Sequence, residues 1–209
     1  MFRKIVVPLD GSESGERVLS RIAPLRAPDS TLHLVRVVPG SAGSRPTPLE
    51  ELRLIEAESY LSFLASEPGD GVRTEVRHGA VAEEILAAAS AAGADLIGLS
   101  SCGESGPARA TVGTTAGRLI LAAACPVFIL GASREEQQPA PSKPQRVIVA
   151  LDGSAASEVC LAPARQVARG FGAALILLHV IEPLWAAGDS ASADQQAQEV
   201  RRIHERLRN

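Results

Sequence analysis

The sequence predicts an α/β fold: a five-stranded parallel doubly wound sheet of the Rossmann-like type, followed by a truncated half repeat. Three observations carry this. Strand-length runs of β-branched residues and leucine alternate with helix-period segments from residue 4 to residue 130. The runs stop at Gly, Pro or Asp-Gly turn signals. RVIVALDGS at 146–154 lies over KIVVPLDGS at 4–12, with identity at Val7/Val149, Leu9/Leu151, Asp10/Asp152, Gly11/Gly153 and Ser12/Ser154. Parallel strands need crossover connections, and those crossovers are right-handed, so the alternation places helices on both faces of one sheet.

The first strand, KIVVPLD, ends at Asp10-Gly11-Ser12 before the helical pattern SGERVLSRIAPL. LHLVRVV at 32–38 is the second strand, closed by Pro39-Gly40 and a loop that also holds Pro46 and Pro48. Residues 49–65 place Leu52, Ile55, Leu61 and Leu64 at helical spacing; VRTEVRHG alternates as a strand, and VAEEILAAASAA is a helix stopped by Gly93. DLIGLSS at 95–101 is a buried strand, 102–112 a Gly-containing loop, 113–124 a helix and 126–130 the last strand. Two sheet orders fit five such strands, 2-1-3-4-5 and 3-2-1-4-5. In the second, the loops Pro8–Ser12 and Ser100–Thr115 open side by side at the reversal point, where ligands bind.

Residues 132–145 read as a Pro-rich linker between a complete domain, 1–131, and a partial one, 146–209. The partial copy continues with ALILLHVIEP at 174–183 over TLHLVRVVPG and a helical DQQAQEVRRIHERLR, with nothing corresponding to 72–130. It supplies a β-α-β-α unit that retains Asp152 but no phosphate loop of its own.

Composition narrows the function. The chain has 209 residues, 45% hydrophobic and 22% charged, with net charge −3. The acidic balance and the few aromatics, 3% in all, argue against a nucleic-acid groove. No apolar run reaches the roughly 18 to 20 residues of a membrane helix, and Met1 leads straight into an alternating strand, which reads as a cytoplasmic, unprocessed chain. Cys102, Cys125 and Cys160 are odd in number and widely spaced, so neither a disulfide framework nor a zinc site is expected; Cys125 and Cys160 read as core residues on helix faces. His33, His78, His179 and His204 lack metal-ligand spacing.

Two loops carry the chemistry. Ser100-Ser101-Cys102-Gly103, then nine residues, then Gly113-Thr114-Thr115 brings backbone amides and hydroxyls to a helix start, where the dipole and unpaired N–H groups favour a phosphate. A Gly-rich turn before an ordinary Thr-capped helix reads the same way. Asp10, at the end of the first strand, is placed either to accept from a ribose hydroxyl or to cap the following helix. Val38 offers an apolar wall to a flat base or is simply buried. Arg109 is a candidate phosphate contact, and Glu104 opposes it. Cys102 is a candidate redox switch.

With KIVVPLDGS, HGAVAEEIL, DLIGLSSCG and GTTAGRLILAAACPVFIL on the page, the chain resembles the universal stress protein family, over 2–131 and incompletely over 146–209. The resemblance implies an ATP site of Gly-x2-Gly-x9-Gly-(Ser/Thr) type, ATP being bound with or without Mg2+. It places Asp10, Val38, Gly103, Gly113 and Thr114 in that site, with Pro8, Leu99, Ser100 and Thr115 beside them. Ser100 stands where the motif has its first Gly. The same resemblance implies association through the last strand, as a homodimer or as an intramolecular domain pair. No Walker loop, kinase signature or zinc-deaminase signature occurs, so the reading is a regulatory ATP binder, at most a slow hydrolase. A nucleotide-free dimerisation module and a Cys102 redox sensor are the alternatives.

Overall fold

The computed structural model describes residues 1–41, 43, 45–66, 71–101, 113–131, 143–180 and 198. They form two sheets, each described by itself.

The larger sheet comprises β1 (Phe2–Pro8), β2 (Arg26–Pro39), β3 (Val72–Gly79), β4 (Leu96–Ser100) and β5 (Val127–Leu130), all parallel, in the order 3-2-1-4-5. Of the two orders the alternation allowed, this is the one that sets β1 beside β4. Strand β2 is longer than the apolar run at 32–38. Arg26–Ser30 extends it backwards, and Phe2 pairs with Arg26 across an irregularity in register.

Helix α1 (Glu13–Ile22) runs into a short 3-10 turn, Ala23–Leu25. The remaining helices of this unit are α2 (Pro48–Ala65), α3 (Val81–Ala92) and α4 (Thr114–Ala122). Alternate residues of each strand face opposite layers. Val6, Val35, Ile97 and Leu99 meet Ile85, Ala88 and Ala89 of α3 and Ala116 and Leu119 of α4. On the other face Gly98 of β4 admits α1, since a Cβ there would lie 3.2 Å from Ile22 Cγ2 and 3.4 Å from Val18 Cγ1.

Helix boundaries follow their caps. Thr47 and Glu50 form a reciprocal capping box with Pro48 in the first turn of α2. Gly93 ends α3 in the left-handed conformation, φ 61°. The expected core face of α2 needs correction. Ala57 and Leu61 are buried, whereas Leu52 and Ile55 are exposed, because the helix carries apolar residues on two sides and only one meets the sheet. Helix α4 is also shorter than the 113–124 reading: it starts after Gly113 and stops at Ala122, with Ala123 already extended.

The second sheet has two parallel strands, β6 (Arg146–Leu151) and β7 (Ala174–His179), joined through α5 (Ala155–Glu158) and α6 (Leu161–Phe171). It is a half repeat. Val149 and Leu151 are buried like their counterparts Val7 and Leu9. Ile148 and Leu178, counterparts of the fully buried Val6 and Val35, are 61% and 47% exposed. In the larger unit α3 and α4 cover that face; among the described residues the half repeat has no equivalent helices.

The tight approach at Gly98 makes Gly98→Val an overpacking change. It should lower unfolding stability by about 1–3 kcal/mol, read as a lower urea midpoint at unchanged slope.

Candidate functional site

The strand order reverses between β1 and β4, where Ile5 pairs with Leu96 and Val6 with Ile97. Two crossovers leave this point in opposite directions, the arrangement at which open α/β sheets place a ligand crevice outside the carboxyl ends of their strands. Pro8 ends β1 in register with Val35, and the next residue, Leu9, donates its N–H to Val35 O at 2.8 Å. Ser100 ends β4 in register with Leu130, and Ser101 N donates to Leu130 O at 2.8 Å.

On the β1 side the Asp10-Gly11-Ser12 turn settles which residue caps the helix. Ser12 is the N-cap of α1, its Oγ accepting from Gly15 N at 3.1 Å. Asp10 is not the cap. It is exposed, and its Oδ1 accepts from Ser12 N at 3.0 Å and from Ser12 Oγ. The turn needs Gly11 at φ 86°, a conformation L side chains rarely adopt.

The half repeat builds the same turn. Asp152 Oδ1 accepts from Ser154 N at 2.8 Å, Gly153 sits at φ 84°, and Ser154 Oγ accepts from Ser157 N at 3.1 Å. The Ser154 side-chain and backbone hydrogen bonds hold the Asp152 carboxyl down at about 2.

On the β4 side Gly113 caps α4, and as a glycine it offers the first amides no side-chain acceptor of its own. The Ser-capped α1 differs in a second way, with Glu13 and Glu16 in its first turn, whereas α4 has no acidic residue there. An anion is therefore favoured at α4 and disfavoured at α1. Gly113 N donates to Ser101 O at 3.1 Å, and a Cβ at Gly113 would lie 3.2 Å from that same oxygen. Ser101 and Gly113 approach tightly enough that a glycine is the natural occupant of position 113, and Thr114 and Thr115 follow as the first residues of α4.

Val38 and Leu99 are both buried, 3% and 6% exposed. Leu99 packs in the core under α3 and α4, so its side chain serves the fold. Gly103 and Arg109, with Cys102 and Glu104, lie outside the described residues. Two cysteine expectations change. Cys160 is exposed, in the turn between α5 and α6, because that helix is broken in two. Cys125 lies after α4, half-buried against the core, and burial followed by the Asp95 charge pushes its thiol up, away from reactivity. Among the described residues no group of three or more His, Cys, Asp or Glu side chains could hold a metal.

Sequence reasoning missed the contacts of two side chains, Arg36 and His78, near the carboxyl ends of β2 and β3. Arg36 of β2 stacks on Tyr60 of α2, its guanidinium carbon 4.8 Å from the ring centroid, and Tyr60 donates its hydroxyl hydrogen to Glu16 at 2.8 Å. Burial first, then the Glu16 acceptor, raise the Tyr60 pKa and keep the phenol protonated. His78, at the end of β3, brackets the β2–α2 connection. Its imidazole lies where a Cβ on Gly40 would sit, and its Nε2 is 3.4 Å from Glu50 Oε1, an ion-pair distance without hydrogen-bond geometry. The only sequence signal for Arg36 is a charge inside an apolar strand.

The model of the universal stress protein family matches residues 1–131 and 143–208. The chain belongs to the universal stress protein family. A universal stress protein of Methanocaldococcus jannaschii is 30% identical over 146 residues, which is 65% of this chain and 86% of that protein. Among solved structures, a universal stress protein from Archaeoglobus fulgidus superposes with TM-score 0.65 at 21% identity, covering 97% of this chain and 74% of that one. A universal stress protein described as putative, from Pseudomonas aeruginosa, gives 0.65 at 18% identity, covering 98% and 70%. At these identities the two structures establish the shared fold. No helix among the described residues of this universal stress protein is long and apolar enough to cross a membrane.

The Asp152 turn yields a titration test. Because the folded-state pKa lies below its ordinary 3.8, the carboxylate's contribution to stability is present above about pH 4 and is lost as pH falls towards 2. Carboxyl-carbon NMR should show a midpoint near 2, and Ser154→Ala should move it up towards the ordinary value. On the first copy of the turn, Ser12→Ala should cost about 1 kcal/mol of unfolding free energy.

Proposed function

We propose that this chain binds ATP, or another adenine nucleotide, as a regulatory ligand in a stress response. The adenine lies against the end of β2 at Val38, and the ribose donates to Asp10. The phosphates rest on the start of α4 at Gly113, Thr114 and Thr115, with Gly103 and Ser100 completing the loop and Arg109 reaching the outer phosphates. The observation that supports this best is the contrast between the two helix starts flanking the reversal point. One is Ser-capped and acidic; the other is Gly-capped, without an acidic side chain or a side-chain cap. A ligand with a hydroxylated sugar at one end and negative charge at the other suits that polarity.

Ser100 does not oppose the reading. It stands at the end of β4 rather than in the tight Gly113 approach, and its hydroxyl can donate to a phosphate oxygen. The role is occupancy rather than turnover, since no phosphoryl-transfer motif occurs in the sequence. ATP fits alone or as its Mg2+ complex, with the ion carried by the phosphates.

We further propose that chains or domains associate through β5, which pairs only with β4 among the described residues and offers its other edge. Sedimentation velocity separates the forms: a concentration-dependent dimer marks pairing between chains, and a compact monomer marks pairing within one.

Calorimetric titration tests the site. Wild type should bind ATP, while Asp10→Asn and Gly113→Val should each weaken binding by about tenfold or more, the loss of one charge-assisted contact or of the close approach. Negligible wild-type affinity at millimolar ATP would refute the reading and favour the nucleotide-free module, as would protein that purifies with no adenylate detectable by mass spectrometry after denaturation.

A further inference from the structure

The Asp-Gly-Ser turn occurs twice in this chain with two hydrogen bonds in common, serine N–H to aspartate and helix N–H to serine Oγ, and the residue behind it differs. In the half repeat Leu151 pairs with His179, whose Nδ1 lies 2.8 Å from Leu151 O, the last strand carbonyl before Asp152. The corresponding position in the larger unit is Arg36, one residue beyond Val35, which accepts from Leu9 N. Arg36 reaches the turn by a different route. A Cβ on Gly11 would lie 2.7 Å from one guanidinium nitrogen of Arg36 and 3.2 Å from the other, so the guanidinium lies directly against the Gly11 backbone. The same guanidinium lies over the Tyr60 ring, which is itself tied to Glu16 in the first turn of α1. One repeat secures the turn through the carbonyl before the Asp, the other through the glycine after it.

We infer that Arg36 is a positioning residue for Asp10: braced on Tyr60, it holds the Gly11 backbone and thereby fixes the direction of the Asp10 carboxylate. The turn is exposed at Asp10, Gly11 and Glu13. A side chain packed beneath it narrows the conformations open to an exposed left-handed glycine. Arg36 acts through another residue and touches no ligand. Histidine at this position offers the other route, through the carbonyl before the Asp, as in the second copy of the turn.

The test uses the full chain and has two arms, the first independent of any ligand. In the apo protein, Arg36→Ala should speed amide exchange at Ser12, Gly15 and Glu16, whose N–H groups the turn holds, by about tenfold, with β4 and α3 unchanged. Arg36→His should stay within about threefold of wild type. Unchanged exchange in Arg36→Ala, or equal acceleration across the whole sheet, overturns the inference, as does a His variant as fast as the Ala one. Should Arg36→Ala not fold, Arg36→Met, which keeps the stem over Tyr60, is read against the same outcomes.

The second arm rests on the proposed adenylate site. Arg36→Ala should weaken ATP and adenosine alike, and its effect should vanish in an Asp10→Asn background, the non-additivity of two residues acting through one contact. A penalty that persists without Asp10, or that falls on ATP but not adenosine, contradicts positioning and makes Arg36 a phosphate contact. If wild type binds no adenylate, the proposed function fails while the exchange arm still decides the role of Arg36.

Discussion

Everything placed at the carboxyl edge of this sheet depends on the pairing of β1 with β4, two strands whose paired residues are 91 positions apart, as Ile5 and Leu96 are, and which meet where the order reverses. Asp95 fixes that meeting. Its two carboxylate oxygens accept the N–H groups of Arg3 and Lys4 at 2.8 and 2.9 Å, and its own N–H donates to Lys4 O at 2.9 Å. A single side chain thus clamps the entry of β4 to the entry of β1. Gly98 then allows α1 to settle over the pair. With the amino ends registered and both strands short, the Asp10 turn and the Ser101–Gly113 closure must emerge side by side.

From that constraint the electrostatics follow. The two helices that begin near the reversal point, α1 and α4, have opposite characters because their caps differ. Ser12 and two glutamates satisfy and screen the start of α1, while α4 starts at Gly113 with no cap side chain and no acidic residue in its first turn. The half repeat reproduces only the first of these starts, complete with its Asp152-Gly153-Ser154 turn and a serine cap. It has no described counterpart of α4. Its sheet also exposes Ile148 and Leu178, which α3 and α4 would cover in a full unit. Repetition of the turn without a described counterpart of α4 separates what the Asp-Gly-Ser motif does for folding from the role proposed for it at a ligand. As a folding device it caps a helix; as half of the proposed site it needs β4.

The sequence made the alternation, the repeat and the Gly113 helix start readable because each is local: a period, a short identity, a turn residue before a helix. It was silent where tertiary context decides. Arg26–Ser30 contains Pro28 and Asp29 and carries no strand pattern, yet pairing with Phe2 draws it into β2. Helix α2 has apolar residues on two sides, and periodicity cannot say that Ala57 and Leu61, rather than Leu52 and Ile55, meet the sheet. Asp10 and Ser12 are both good caps, and only the geometry assigns the role to Ser12. Arg36 finds Tyr60 across a crossover, a contact no window of sequence contains.

The account's central claim is spatial: a ligand must touch the β1 turn and the start of α4 together. Backbone amide chemical-shift mapping during ATP titration measures that directly. The account predicts that Gly11 and Ser12 shift along with Ser101, Gly113, Thr114 and Thr115, saturating with one common dissociation constant. Shifts confined to one of these segments, different constants for the two, or no change in either at millimolar ATP would contradict it.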